Sequence, residues 1–172
     1  ADDALSGPQG FIETHTPDPS VGPDTDRFLF EDNKYKLHAC CHGTHAMIEA
    51  LLPSAPVRLD QVARLTLNTN PRWLRVCDIK RPRTGLEAKF SYAWLAGLTL
   101  RGAETGDESI YTDALASDPA LADFAQRVEV TGDQSLTDMQ VTGTLHLQDG
   151  SQIPLHHDLD TPISEEILSH RL

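Results

Sequence analysis

The sequence has 172 residues, of which 39% are hydrophobic and 23% are charged, so it is long enough for one sizeable core and short for two. Its 14 Lys and Arg residues against 26 Asp and Glu residues give a formal net charge of -12. A chain this acidic repels a phosphate backbone, which excludes nucleic acid as an expected partner.

Neither a membrane nor an oxidising compartment is indicated by the sequence. No run of about 18 apolar residues occurs, and the acidic start Ala-Asp-Asp-Ala lacks the basic beginning of a secretory signal. The cysteines are odd in number, and Cys40 and Cys41 are adjacent, which makes a poor disulfide framework. These features predict a cytoplasmic protein with reduced thiols.

The N-terminal residues 1–33 are predicted to form an irregular arm with room for one helical turn. Prolines and Gly-Pro pairs interrupt this stretch too often for a long helix. The apolar cluster Phe28–Phe30 predicts a short strand before the acidic turn that follows it. Residues 34–172 are then predicted to form one domain.

Two helices and a strand are predicted in the first half of that domain. Apolar residues at helical spacing predict a helix between Thr44, as its cap, and Pro53. Alternating side chains predict a strand over Val62–Asn68. The longest helical pattern runs from Leu86 to Gly102, with one buried stripe: Leu86, Phe90, Ala93, Trp94, Gly97 and Leu98.

The second half of the domain alternates short strands with helices. The predicted elements are a short strand over Ser109–Asp113, a helix over Pro119–Gln126 capped by Asp118, strands over Arg127–Val130 and Gln140–Leu147, a hairpin turn at Asp149-Gly150 into a strand over Gln152–Leu155, and a final helix from Ser164. This order predicts an α+β fold, a two-layer sandwich of helices on a mainly antiparallel sheet.

Chemistry is concentrated in the segment Lys36–His45, which holds two cysteines and three histidines in ten residues. A metal site would use Cys40, Cys41, His42 and His45. Adjacent cysteines point opposite ways along an extended backbone, and zinc ligands usually come as Cys-x-x-Cys, so no metal is predicted.

Two other interpretations of this segment stay open. Cys41 stands three residues before the predicted helix start with histidines nearby, which makes its thiol a candidate nucleophile. Alternatively, Lys36, the helix start at Thr44 and a basic stretch downstream form a pocket for a small anion. The basic stretch consists of Arg72, Arg75, Lys80, Arg81 and Arg83.

Residues 36–50, Lys-Leu-His-Ala-Cys-Cys-His-Gly-Thr-His-Ala-Met-Ile-Glu-Ala, resemble the Lys-Pro-Tyr-Pro-Cys-Cys-x-x-Thr-His-x-x-Ile-Asp-Ala signature of the MmgE/PrpD family. Arg81–Ser91 is similar to the family's Pro-x-x-Gly-Leu-Glu-Ala-Lys-Phe-Ser segment. Three shorter matches keep the family's order, at Ser6–Phe11, Leu147–Gly150 and Thr161–Glu166.

The resemblance implies a fold, a substrate class and partners. Family enzymes combine a large helical domain with a smaller α+β domain, and this chain matches only the smaller one. It is therefore expected to be an excised domain whose partner is the helical domain of the same parent chain. The parent is expected to be a homodimer. Members include 2-methylcitrate dehydratase, cis-aconitate decarboxylase and iminodisuccinate epimerase. They act on small di- and tricarboxylates without a metal or organic cofactor, and no cofactor is expected here.

The resemblance also implies roles for individual residues. Lys36 matches the lysine that holds a substrate carboxylate, Cys41 stands where decarboxylase-type members have an active-site histidine, and Trp94 replaces a tyrosine. These two departures make decarboxylase or methylcitrate activity less expected than another carboxylate reaction. Lys36 and His45 are thus the predicted catalytic residues, and Lys36, Cys41, Thr44 and Trp94 the predicted substrate-binding residues.

Three hypotheses follow. The first is a lid domain of an MmgE/PrpD-type lyase or isomerase acting alpha to a carboxylate, inactive alone because the family's general base lies in the helical domain. The second is a stand-alone binding or regulatory module for a small anion. The third is a Cys/His metal module around Cys40–His45.

Overall fold

The computed structural model describes Gly7, residues 10–15 and residues 36–171. The chain divides into two compact units, Ala1–Tyr35 and Lys36–Leu172. In the first unit the described residues include one short helix, α1 (Phe11–His15). The predicted strand at Phe28–Phe30 lies outside the described residues.

The second unit alternates helices and strands. Its α-helices are α2 (His45–Leu51), α3 (Pro71–Leu74), α4 (Gly85–Ala88), α5 (Tyr92–Leu100), α6 (Asp113–Ala116), α7 (Pro119–Ala125) and α8 (Glu165–Arg171). Its strands are β1 (Val62–Thr69), β2 (Val128–Gly132), β3 (Gln140–Leu147) and β4 (Gln152–Asp158). Short 3-10 turns lie at His42–Thr44, Leu52–Ser54, Leu59–Gln61 and Glu108–Ile110. No helix of the described ranges is long and apolar enough to cross a membrane.

The four strands form one sheet in the order β2-β1-β3-β4. β3 pairs antiparallel with both β1 and β4, whereas β2 pairs parallel with β1. A parallel pair needs a crossover connection, and the helices α3 to α7 lie in the chain between β1 and β2. The α+β class and the mainly antiparallel sheet are therefore confirmed.

The sheet has one apolar face and one polar face. Its buried side chains are Val62, Leu65, Leu67, Thr69, Val141, Leu145 and Leu155, whereas Thr66, Asn68, Thr142 and Thr144 are only half-buried. Helix α2 packs against β3, β4 and α5, and α5 packs against α7. The helices therefore form the second layer over the apolar face.

The long helix predicted from Leu86 to Gly102 is wrong, because the chain leaves the helix between α4 and α5. There the backbone pairs with the segment before it: the Ile79 N–H donates to the Phe90 carbonyl at 3.1 Å, and Ser91 forms a bridge with Asp78. Ser91 then caps α5 by accepting from the Trp94 N–H. Leu86, predicted on the buried stripe, is 67% exposed.

The strand predicted at Ser109–Asp113 is also wrong, because side-chain caps start two helical turns there. Asp107 accepts from the Ser109 N–H at 2.8 Å, and Thr112 accepts from the Leu115 N–H at the start of α6. The helix at Pro119 is confirmed with its predicted cap Asp118. Helix α3 was not predicted.

The terminal hairpin is confirmed, and β3 has the predicted bounds. Gly150 adopts φ +88° in the turn, a backbone conformation that favours glycine. The last strand continues to Asp158, three residues beyond the predicted end at Leu155. Helix α8 follows the predicted start at Ser164 by one residue.

Candidate functional site

The segment that follows Lys36 is fastened to the body of the domain by backbone hydrogen bonds. The Ala39 N–H donates to the Thr105 carbonyl at 2.9 Å, and the Cys41 N–H donates to the Lys89 carbonyl at 3.1 Å. The hydroxyl of Tyr92, in the buried helix α5, donates to the Gly43 carbonyl at 2.7 Å. These bonds fix the segment against α5 and against the stretches of chain that precede and follow this helix.

Only glycine fits at position 43 of this segment. A Cβ atom at Gly43 would lie 2.4 Å from the indole ring of Trp73, well inside van der Waals contact. The nearby ring therefore requires glycine at this position.

A cavity of about 480 Å³ opens beside the segment, and we call it the lysine cavity. Its wall is formed by Lys36, Leu37, His38, Ala39, Cys40, Cys41, Leu86, Lys89, Phe90, Gly106 and Glu108. Lys36 is exposed and has no carboxylate partner in the described part of the chain. Its ammonium group is therefore available to an anion that enters from solvent.

A second ammonium group, that of Lys89, lies in the same wall. The Lys89 Nζ is 2.9 Å from Glu108 Oε1 and 5.1 Å from the centroid of the Tyr111 ring. The hydrogen bond from Lys89 and its charge lower the pKa of the Glu108 carboxyl, so Glu108 is ionised. Sequence reasoning gave Lys89 no role, although it stands within the matched Gly-Leu-Glu-Ala-Lys-Phe-Ser segment.

The cysteines differ in their exposure to this cavity. Cys40 and Cys77 are buried, and Cys41 is half-buried in the cavity wall. Burial raises the pKa of Cys40 to about 11, and burial followed by a hydrogen bond with Cys41 raises the pKa of Cys77. Cys40 and Cys77 are therefore neutral thiols.

His38, which contributes to the cavity wall, forms a histidine cluster with His42 and His45. The ring centroid of His45 lies 4.9 Å from that of His38 and 5.3 Å from that of His42. Both ring nitrogens of His38 are engaged, Nδ1 with Thr105 Oγ1 at 2.7 Å and Nε2 with Glu49 Oε1 at 2.9 Å. No group of three or more metal-ligating side chains suited to a metal ion occurs among the described residues.

His45 is a neutral side chain in this cluster. It is 3% exposed, and burial, followed by the charges of His38 and His42, lowers its pKa to about 3. Its Nε2 atom is buried without a hydrogen-bond partner in the described structure. His45 can therefore accept a hydrogen bond at neutral pH, but it carries no positive charge there.

The family model for the MmgE/PrpD C-terminal domain matches residues 38–168, which is most of the sequence. The chain belongs to the MmgE/PrpD family. A search of curated proteins gives no match. Lys36 lies two residues before the matched span.

The MmgE/PrpD domain brings only some of the predicted site residues together. Lys36 and Cys41 line the lysine cavity. Thr44 is fully buried and does not cap α2, because its hydroxyl instead donates to the Cys41 carbonyl at 2.7 Å. Thr44 therefore supports the cavity wall from behind, and the predicted cap is wrong.

Trp94 lies elsewhere in the MmgE/PrpD domain. It is 2% exposed, its Nε1–H donates to the Leu115 carbonyl at 3.2 Å, and it lines a second cavity of about 460 Å³ together with Lys80 and Arg81. Trp94 and His45 are both absent from the described wall of the lysine cavity. The roles predicted for them stay predictions.

The basic stretch that was predicted to form a pocket with Lys36 lies outside the lysine cavity. None of its residues lines the lysine cavity in the described structure. Arg72 pairs with Asp138 at 2.7 Å, Lys80 with Asp78 at 2.7 Å and Arg83 with Glu87 at 2.9 Å. The second cation of the cavity is Lys89, which the spacing of the sequence did not indicate.

Proposed function

We propose that this chain is the α+β lid domain of an MmgE/PrpD-type lyase or isomerase that acts at the carbon alpha to a carboxylate of a small di- or tricarboxylate. The proposal is carried by the lysine cavity, in which Lys36 has no carboxylate partner among the described residues. Membership of the family supports it, because the cavity is formed by a family segment. The helical domain of the same parent chain would complete the site.

The proposed chemistry depends on charge. When a base removes the proton at the alpha carbon, the electrons of the C–H bond move toward the adjacent carboxylate and give an enediolate. An ammonium group beside that carboxylate stabilises the developing charge, which is the role of Lys36. Loss of a protonated beta hydroxyl as water, or return of a proton to the alpha carbon, then completes the reaction. A decarboxylase would instead release carbon dioxide and protonate the carbon that is left behind.

The base is expected from the helical domain. In the described cavity wall, both ring nitrogens of His38 are engaged and Glu108 is ion-paired with Lys89. Neither is placed to abstract a proton from a bound acid. The 172-residue chain by itself should therefore be catalytically inactive, and turnover of any tricarboxylate by it would contradict the proposal.

The test is proton exchange in the full-length parent enzyme. Exchange of alpha protons for deuterium would be followed by NMR across a panel of di- and tricarboxylates. We expect Lys36→Ala to slow exchange by roughly a hundredfold or more, as removal of an oxyanion stabiliser does. Lys80→Ala is the matched control, since Lys80 is paired with Asp78 and lies outside the lysine cavity. Equal losses in the two variants would count against a specific role for Lys36.

A stand-alone module for small anions is the second candidate. The presence of two lysines in the cavity wall without a free base favours it. A binding module would take up carboxylates in calorimetry, while the parent protein would exchange no alpha proton with any acid in the panel. That pair of results would replace the enzyme proposal.

A further inference from the structure

The two members of the Lys89–Glu108 ion pair differ strongly in exposure. The Lys89 side chain is 17% exposed, whereas that of Glu108 is 83% exposed. Glu108 belongs to a short 3-10 turn at the cavity rim, Glu108–Ile110. The pair therefore joins a largely desolvated cation to a carboxylate that is almost wholly in water.

The cation is held by fixed partners. Its ammonium lies near the ring of Tyr111, which is 9% exposed and whose hydroxyl donates to the Thr105 carbonyl at 2.9 Å. The Lys89 carbonyl accepts the Cys41 N–H. Thr105 also accepts the Ala39 N–H, so these bonds connect Lys89 to the same segment that follows Lys36.

The carboxylate, in contrast, is easily replaced. An exposed ion pair contributes little to stability, because water solvates the released carboxylate almost as well as the ammonium does. A desolvated ammonium still requires an anion, however. A carboxylate that enters the cavity from solvent supplies the same hydrogen-bond acceptor that Glu108 supplies.

We propose that the ligand of the lysine cavity binds through two carboxylates, the first to Lys36 and the second to Lys89. Before the ligand enters, Glu108 is ion-paired with Lys89, and the second carboxylate displaces it. This inference rests on the proposed function in taking Lys36 as a carboxylate-binding residue. It identifies the ligand as a small anion with at least two carboxylates. A monocarboxylate can satisfy only one of the two lysines.

The first test is calorimetric titration of the 172-residue chain with succinate, propane-1,2,3-tricarboxylate and acetate at fixed ionic strength. Lys89→Met keeps the aliphatic stem and removes the charge. We expect it to weaken binding of the two polycarboxylates roughly tenfold. Binding of acetate should change much less. Lys80→Met, whose lysine pairs with Asp78 outside this cavity, is the matched control and should bind as the unmodified chain does.

The second test does not alter the packed lysine. Glu108→Gln should tighten polycarboxylate binding several-fold, because the internal competitor is removed while the side chain stays exposed and similar in size. The same substitution in the Lys89→Met background should give no gain. An equal gain in affinity in both backgrounds would mean that only the overall charge of the chain matters. It would overturn the proposal that the ligand displaces Glu108 from Lys89.

The outcomes separate this inference from the proposed function. Binding that depends on Lys36, tested with Lys36→Met, and not on Lys89 would overturn the inference and leave the proposed function standing. Binding that depends on neither lysine would overturn the inference, as would a complete absence of binding to the unmodified chain. Proton exchange in the full-length parent enzyme, with and without Lys36→Ala, would then decide the proposed function by itself.

Discussion

The lysine cavity and the histidine cluster come from one ten-residue segment, yet they are opposite environments. On the cavity side, Lys36 is exposed and carries a charge that has no carboxylate partner among the described residues. On the cluster side, His45 is buried and neutral. His38 connects the two sides, because it contributes to the cavity wall and is held between Thr105 and Glu49. A motif rich in reactive side chains therefore divides into a face that meets ligands and a face that holds the fold.

The largest expected contrast is in stability. Glu49→Ala would remove the carboxylate that lies 2.9 Å from the buried His38 Nε2, and we expect the free energy of unfolding to fall by about 2 kcal/mol. Lys36→Ala removes an exposed charge and should change it by less than about 0.5 kcal/mol. Urea denaturation of both variants measures the difference. Similar losses would show that the cavity face is also structural.

The next contrast is the response to acid. The pKa of His45 is lowered from its ordinary value of 6.5 to about 3, so between these values the unfolded chain binds a proton that the folded chain does not. This contribution to stability is complete above about pH 6.5 and is lost progressively as the pH falls toward 3. We expect His45 to account for about 1 kcal/mol per pH unit between pH 6 and pH 4.

His45→Gln, which is neutral throughout this range, provides the comparison. Its unfolding free energy should decline less steeply with falling pH than that of the unmodified chain. Parallel slopes for the two proteins would mean that His45 is protonated in the folded state, which would contradict its burial.

The smallest expected effect concerns Leu86, an apolar side chain in the cavity wall that is 67% exposed. Leu86→Ser should change the free energy of unfolding by less than about 0.5 kcal/mol, because little apolar surface is removed from a packed site. Leu95→Ala is the internal reference, since Leu95 is fully buried in α5 and its truncation should cost about 3 kcal/mol. Thermal unfolding of the two variants checks this ranking. A large loss of stability in Leu86→Ser would show that the Leu86 side chain is packed in the core, as its place on the helical stripe predicted.

The sequence predicted the elements that local patterns determine. Asp118 followed by proline identified the start of α7, and the alternation in β3 together with Asp149-Gly150 identified the terminal hairpin. The break between α4 and α5 depends instead on pairing with Asp78 and Ile79, which helical periodicity does not register. Tertiary pairing overrode a continuous apolar pattern there.

The candidate site shows the same division. Lys36 and Cys41 are close in the sequence, and both line the lysine cavity. Lys89 and Glu108 reach the same wall through long-range contacts, and no spacing rule connects them to Lys36. Trp94 matched a family position, but the side chain turns into a different cavity, because its indole N–H bonds to the Leu115 carbonyl.

The residues Leu37, His38 and Ala39 stand where the family signature has Pro-Tyr-Pro. Prolines stiffen a loop from within, by restricting each backbone angle before the chain has folded. In this chain the loop is stiffened from outside, through the His38 imidazole bonded to partners 67 and 11 positions away and through the hydrogen bond from the Ala39 N–H to the Thr105 carbonyl. The loop therefore becomes rigid only when the tertiary structure forms. It loses this rigidity when the domain unfolds, because its own sequence does not restrict the backbone as prolines would.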